Sequence, residues 1–269
     1  MFMENRKRIL KYVVVLLYVV FSGVLFITPV KADERSIILE EKVKFLESIG
    51  TPKNVIETHI STQIERTYKN LFGKNAHFAG AESKIIEVKD ETSSLRGNIS
   101  TSKLKLSVGV YDMVDEATGE VFEINVSVGY EWLSEPIWQS NDALTFSWDK
   151  DLFYDEGFYH ESLCSINGWI HTIEYITTPA LASEGGFGWY SKLGIHLDDA
   201  SIYKHFGGGD IRLIPKRSYK ESTDLNSKMY FQYAHQIAGV GISFGITGDL
   251  GVSINGGNYD EQALSYTYH

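Results

Sequence analysis

The sequence predicts a mainly β protein, an antiparallel β-sandwich or jelly-roll-like domain preceded by a short helical segment, α+β overall. Three observations carry this: from about residue 83 the hydrophobic period is 2, the chain has only five Pro, and no long apolar helical pattern appears after residue 80. The 24 Gly and 35 aromatics (14 Phe, 16 Tyr, 5 Trp) are the turn and core composition such a domain uses.

The first 32 residues are an address. Arg6, Lys7, Arg8 and Lys11 make a basic start, and Tyr12 to Val30 run without a charge. Such a run enters a bilayer without desolvating an ion. Pro29 followed by Val30-Lys31-Ala32 fits a signal peptidase site, so we expect residues 1–32 to be a signal peptide cleaved after Ala32. The alternative is an uncleaved anchor through residues 12–30, since a span takes about 17–25 residues. Both versions put residues 33–269 outside the membrane: secreted, or membrane-anchored with that part outside.

Residues 33–78 are expected to hold the helices. Ile38, Leu39, Val43, Phe45, Leu46 and Ile49 recur at steps of three and four, and Gly50 is a natural stop. Thr51-Pro52 starts a short second helix; Thr62 and Glu65 form a capping pair for a third, with Ile64, Tyr68 and Leu71 as its apolar stripe. About 40 residues bury too little to stand alone, so these helices pack on the β domain or form an arm.

Residues 79–269 are expected to form the β domain. Phe122, Ile124, Val126, Val128, Tyr130 and Trp132 alternate with Glu123, Asn125, Ser127, Gly129 and Glu131, a strand with one buried and one wet face. Leu104 to Val110 alternate likewise, and the turn at 115–120 makes 102–132 a hairpin. Further strands are expected at 144–148, 168–178, 188–196, 210–214, 229–236, 239–247, 250–255 and 263–268. Residues 157–167 read as a loop, and Gly207-Gly208-Gly209 as a turn.

Composition narrows the partners. Taking Glu4 and the five bases Arg6, Lys7, Arg8, Lys11 and Lys31 from 35 acids and 25 bases leaves 34 and 20, a net charge of -14 on the exported part. Such an acidic surface lacks the footprint of nucleic-acid binding. One Cys builds neither a disulfide nor a cysteine zinc site.

Several motifs fail on context. Gly241-Ile242-Ser243-Phe244-Gly245 matches a nucleophile elbow, but the alternation through it puts Ser243 on a flat strand with no helix after it. Cys164 between His160 and His171 would need a lowered thiol pKa to act as a nucleophile. His171, His196, His205 and His235 lack zinc-ligand spacing. No catalytic residue is assigned, and an enzyme is less expected than a binding protein.

Two candidate sites remain. Asp149, Asp151, Asp155 and Glu156 are carboxylates within eight residues that could supply a structural Ca²⁺, against the plain alternative of a solvated acidic loop. No other cofactor is expected. Trp138, Trp189, Tyr190 and Tyr203, with Phe158 and Tyr159, could offer π-faces to sugar rings, against the plain alternative of core aromatics. The leading function is therefore an exported β-sandwich protein that binds a carbohydrate or cell-surface partner. Alternatives are an extracellular carboxylate-dependent, glycosidase-like hydrolase and a toxin-like or self-assembling protein, the last suggested by the Gly-rich stretch 237–258.

Overall fold

The computed structural model describes residues 32–89, 101–134, 141–166, 169–193, 202–220, 225–238, 243–247, 251–255 and 258–268. Residues 1–31, which hold nearly all of the expected signal or anchor and the whole uncharged run 12–30, lie outside them. None of the described helices is long and apolar enough to cross a membrane. The chain divides into two units, Met1–Glu41 and Lys42–His269, and the second carries the β architecture.

Helix α1 spans Ala32–Ser48. Its end is closed as the sequence implied: Gly50 has φ of 93°, its amide donates to Glu47 O at 3.1 Å and that of Thr51 to Leu46 O at 3.0 Å. This double closure satisfies carbonyls that would otherwise be orphaned. Helix α2 is Lys53–Ile56 and α3 is Ser61–Leu71. The expected capping pair does not form, because α3 begins at Ser61 after Ile60; Thr62 Oγ1 has no hydrogen-bond partner, and Glu65 pairs with Lys42 at 3.1 Å.

The sandwich has two antiparallel sheets. Strands β1 (Ala76–Lys89), β2 (Thr101–Val114), β3 (Val121–Trp132), β9 (Ile202–Pro215), β5 (Phe153–Ile166) and β6 (Trp169–Ile176) form one, in that order. Strands β13 (Asn258–Tyr268), β10 (Ser227–Ala238), β4 (Asn141–Ser147), β8 (Gly186–Lys192) and β7 (Leu181–Ser183) form the other. The expected hairpin is β2–β3, its turn tied by the Ala117 and Thr118 amides donating to Asp115 Oδ1 at 2.9 and 2.8 Å. Between the sheets lies one core, in which Val126, Val128, Tyr130 and Trp132 meet Phe146, Trp189, Phe231 and Tyr233. At one edge β1 meets β13: a register shift between Phe78 and Gly80 brackets Ala79, whose carbonyl accepts the Tyr266 hydroxyl at 2.9 Å.

Both outer faces are also covered over part of their area. The β11–β12 hairpin (Ser243–Thr247 and Gly251–Asn255) seats Ile254 against Ala143 and Ala234 of the five-stranded sheet. Helix α3 lies against β3 and β9 of the six-stranded sheet. This corrects the wet face expected of β3: Asn125 and Ser127 are buried, and the exposed end is Phe122.

Three further expectations change. Residues 157–166 belong to β5 rather than a loop, and Gly207–Gly209 sit inside β9 rather than in a turn. Strand β1 starts at Ala76, ahead of the point where the period-2 pattern becomes readable.

Candidate functional site

The helix-covered face of the six-stranded sheet is built from small and polar residues. Registers place Ser107, Gly129, Gly208, Glu161 and Tyr175 in one row across five strands, and Ser127, Asp210 and Tyr159 in the next. Helix α3 answers with Gln63, Arg66 and Thr67, one helical turn of side chains at i, i+3 and i+4. Gln63 donates to Ser127 O at 3.1 Å and accepts from Ser107 Oγ at 2.8 Å; Thr67 donates to Ser127 Oγ at 3.0 Å. A helix docked by polar contacts gains only about 0.5–1.5 kcal/mol per bond, so its position depends on each donor finding its acceptor.

Arg66 is the centre of this interface. Its Nη1 donates to Glu161 Oε1 at 2.9 Å, its Nη2 to Val128 O at 3.1 Å, and its Nε stands 3.3 Å from Asp210 Oδ2. Bare glycines make the bed: a Cβ on Gly208 would lie 2.6 Å from Arg66 Nη2, and one on Gly129 2.6 Å from Gln63 Oε1. Asp210 is 5% exposed, and burial pushes its carboxyl above the ordinary range while the Arg66 charge pulls it back.

Beside this cluster a cleft of about 320 Å³ opens, lined by Arg66, Lys69, Asn70, Tyr159, Tyr175, Asp210 and Arg212, with Gly157 and Phe158 on its floor. The Tyr159 and Tyr175 rings lie 4.9 Å apart at 47°, and Tyr175 is 63% exposed. Burial raises the Tyr159 phenol, and nearby Glu161 adds to this, so it stays a neutral hydroxyl. Arg212 reaches back over β5, where a Cβ on Gly157 would meet its Nη2 at 2.8 Å. The cleft combines an open aromatic pair, cationic donors and a buried carboxyl.

Of the aromatics singled out in the sequence, Trp189 and Tyr190 lie away from this cleft. Trp189 points into the core with no exposed surface, its ring 5.0 Å from Phe158 and 5.6 Å from His160, because β8 turns Phe187 and Trp189 inward. Tyr190 faces the other way and is half-buried, 4.7 Å from Phe244 of the hairpin. Tyr203 belongs to β9, its side chain outside the described residues, as is Trp138.

The four carboxylates do not gather. Asp149 holds a turn, accepting the Asp151 amide at 2.8 Å on its side chain and the Leu152 and Phe153 amides on its carbonyl. Asp155 and Glu156 lie on exposed β5, where a register shift between Asp155 and Gly157 leaves Glu156 4.0 Å from Arg212. Among the described residues, no three His, Cys, Asp or Glu come together as a metal site. A second hollow, of about 380 Å³, includes Asp149 and Asp151 beside Lys150 and Lys228.

Cys164 is buried in β5, and burial raises its thiol, the opposite of nucleophile activation. Ser243 opens β11 and gives its hydroxyl to Asn255 O at 2.6 Å. Sequence reasoning missed Arg66, Asp210 and Tyr175, and reached Tyr159 only as one of several aromatics that could stack on a sugar. The available signal was the polar stripe Gln63, Arg66, Thr67 and Asn70 on a helix next to a Ser- and Gly-rich strand face.

No family model matches the chain, and no curated protein matches it. Among solved structures it is similar to Clostridium perfringens delta-toxin, at 9% identity and a TM-score of 0.31, over 72% of this chain and 93% of that one. It is also similar to the enzymatically active domain of bacteriophage CBA120 tailspike protein 4, at 10% identity and a TM-score of 0.22, over 52% of this chain and 18% of that one. Overlaps this loose transfer no activity.

Proposed function

We propose that the protein is an exported, non-enzymatic binding protein whose ligand is a saccharide of a cell surface, held in the cleft beside α3. The observation that carries this is the Tyr159–Tyr175 pair, with Tyr175 exposed and Tyr159 half-buried, lining one cleft with fixed polar groups. Sugar rings present C–H faces to an aromatic surface and hydroxyls to surrounding donors and acceptors. Asn70, Lys69 and Arg212 supply the donors. Binding is favoured over hydrolysis because Glu161 and Asp210 both serve the same guanidinium instead of flanking open space. An immobilised-glycan screen of the secreted chain tests the reading. It expects bound glycans that Tyr175→Ala releases without a change in thermal midpoint; an empty screen overturns it.

A second reading, a membrane-active toxin-like protein, draws on the β11–β12 hairpin. Its register pairs Phe244 with Ile254 and Ile246 with Val252 on one face, and Gly245 with Ser253 on the other. Residues 237–258 carry a single charge, Asp249. One apolar and one small polar face suit a strand between lipid and a lumen. Dye-filled vesicles that stay intact with the secreted chain would end this reading.

A further inference from the structure

We infer that the saccharide bound beside α3 is acidic, carrying a carboxylate that Arg212 and Lys69 grip; this rests on the saccharide reading of the same cleft. The local charge there runs against that of the whole protein. The chain carries a formal net charge of -10, yet Arg66, Lys69 and Arg212 line the cleft against one carboxylate, Asp210. That carboxylate is 5% exposed and already paired with Arg66 at 3.3 Å, so it offers little repulsion to an anion.

The three cations differ in what they are committed to. Arg66 is spent on Glu161, Asp210 and the Val128 carbonyl. Lys69 is exposed near the C-terminal end of α3 and makes no ion pair among the described residues. Arg212 has a side chain 46% exposed, with Glu156 no nearer than 4.0 Å. The missing Cβ of Gly157 lets its guanidinium lie along β5, 2.8 Å from where that carbon would be, and it lines the same cleft as the Tyr159–Tyr175 pair. A guanidinium so held takes a carboxylate by two parallel bonds, and a sugar carboxylate projects in the plane of a stacked ring. A neutral sugar would leave Lys69 without an anionic partner among the described residues and Arg212 with only the long contact to Glu156.

The test is calorimetric titration of the secreted chain with oligosaccharides of hexuronic acid and with neutral hexose oligosaccharides of the same length. We expect the acidic series to bind at least about tenfold tighter, and the difference to shrink as salt rises. Arg212→Gln and Lys69→Gln should each weaken the acidic series far more than the neutral one and so abolish most of that preference; both residues are exposed, and an unaltered thermal midpoint confirms folding. Tyr175→Ala should weaken both series. Equal or tighter binding of the neutral series, or an unchanged preference in Arg212→Gln, overturns the acidic inference while the saccharide reading stands. Binding of neither series overturns both.

Discussion

Nη2 of Arg66 lies over Gly208, 2.6 Å from where a Cβ on that residue would be, and the same Cβ would stand 2.2 Å from the Val128 carbonyl oxygen. The second clash is with backbone, which cannot swing aside. Gly208→Ala should therefore cost about 1–3 kcal/mol or more as overpacking and displace Arg66 from Glu161 and Asp210. Urea unfolding measures the loss, and a variant as stable as the parent would contradict the close approach of Gly208 to the Val128 carbonyl.

Arg66 itself offers a sharper test. Arg66→Met removes a cation from between two carboxylates whose residues are mostly or fully buried, and breaking such a pair costs about 3–5 kcal/mol. Adding Asp210→Asn should restore part of that, since the second change removes one uncompensated charge. A double-mutant cycle by denaturant unfolding reports the coupling, and strict additivity would contradict the ion pair.

This cluster also shows where sequence patterning stops. The core face was readable because Val126, Val128 and Tyr130 must leave water, whichever partner they meet. The opposite face was not, because Ser127 and Gly129 suit water and a polar helix equally well; only the register of α3 decides. Strand β5 was illegible for two reasons. The irregularity between Asp155 and Gly157 breaks period 2, and inward-facing His160 and Ser162 put polar residues where a strand pattern needs apolar ones. Gly207–Gly209 read as punctuation, yet close approach of Arg66 and of the Tyr159 carbonyl requires bare backbone there. Trp189 could have faced either way on β8, and the pairing with β4 and the core decided it.

Acid should weaken the fold through buried histidines. His160 has no exposed surface, both ring nitrogens lack partners, and burial aided by Arg66 pushes its pKa down to about 3. His59 is pushed down to about 4, chiefly by burial. Both fall below the ordinary value of 6.5, so the unfolded chain binds the extra protons. Their contribution is fully present above pH 6.5 and is lost as pH falls towards 4, at about 1.4 kcal/mol per pH unit for each histidine. Unfolding free energies at pH 7 and pH 5 should differ accordingly, and His160→Gln should reduce the slope by about one proton. An unchanged slope in that variant would contradict a neutral buried His160.

Asp142 anchors the five-stranded sheet. It has no exposed surface and accepts the Tyr233 hydroxyl, faces His235 Nδ1 at 2.9 Å and takes the Gln236 amide at 3.3 Å. Trp132 Nε1 donates onto the same Tyr233 oxygen at 3.0 Å, so the carboxylate links both sheets. Asp142→Ala strands these donors and should cost about 3–5 kcal/mol, with Asp142→Asn costing less because one amide oxygen still accepts. Thermal unfolding with near-ultraviolet dichroism separates lost stability from lost packing around Trp132.

The seat of the β11–β12 hairpin depends on Gly251. Its φ is 72°, and a Cβ there would lie 2.2 Å from Gly185 O and 2.9 Å from Gly186 N. Both the backbone conformation and the space forbid a side chain, so Gly251→Ala must move β12 away from β8. That movement breaks the exchange between Ser147 and Val252, whose bonds are 3.1 and 3.4 Å, and loosens Ile254 from Ala143 and Ala234. Among the described residues the two sheets share no backbone ladder with the hairpin, so they should hold. Hydrogen exchange should accordingly speed up across Ser243–Asn255 and stay slow in β2, β3 and β10. If apolar hairpin surface is what engages a bilayer, the same variant should also raise vesicle leakage. Uniform protection across the hairpin and sandwich in Gly251→Ala would mean that this seat does not hold the hairpin down.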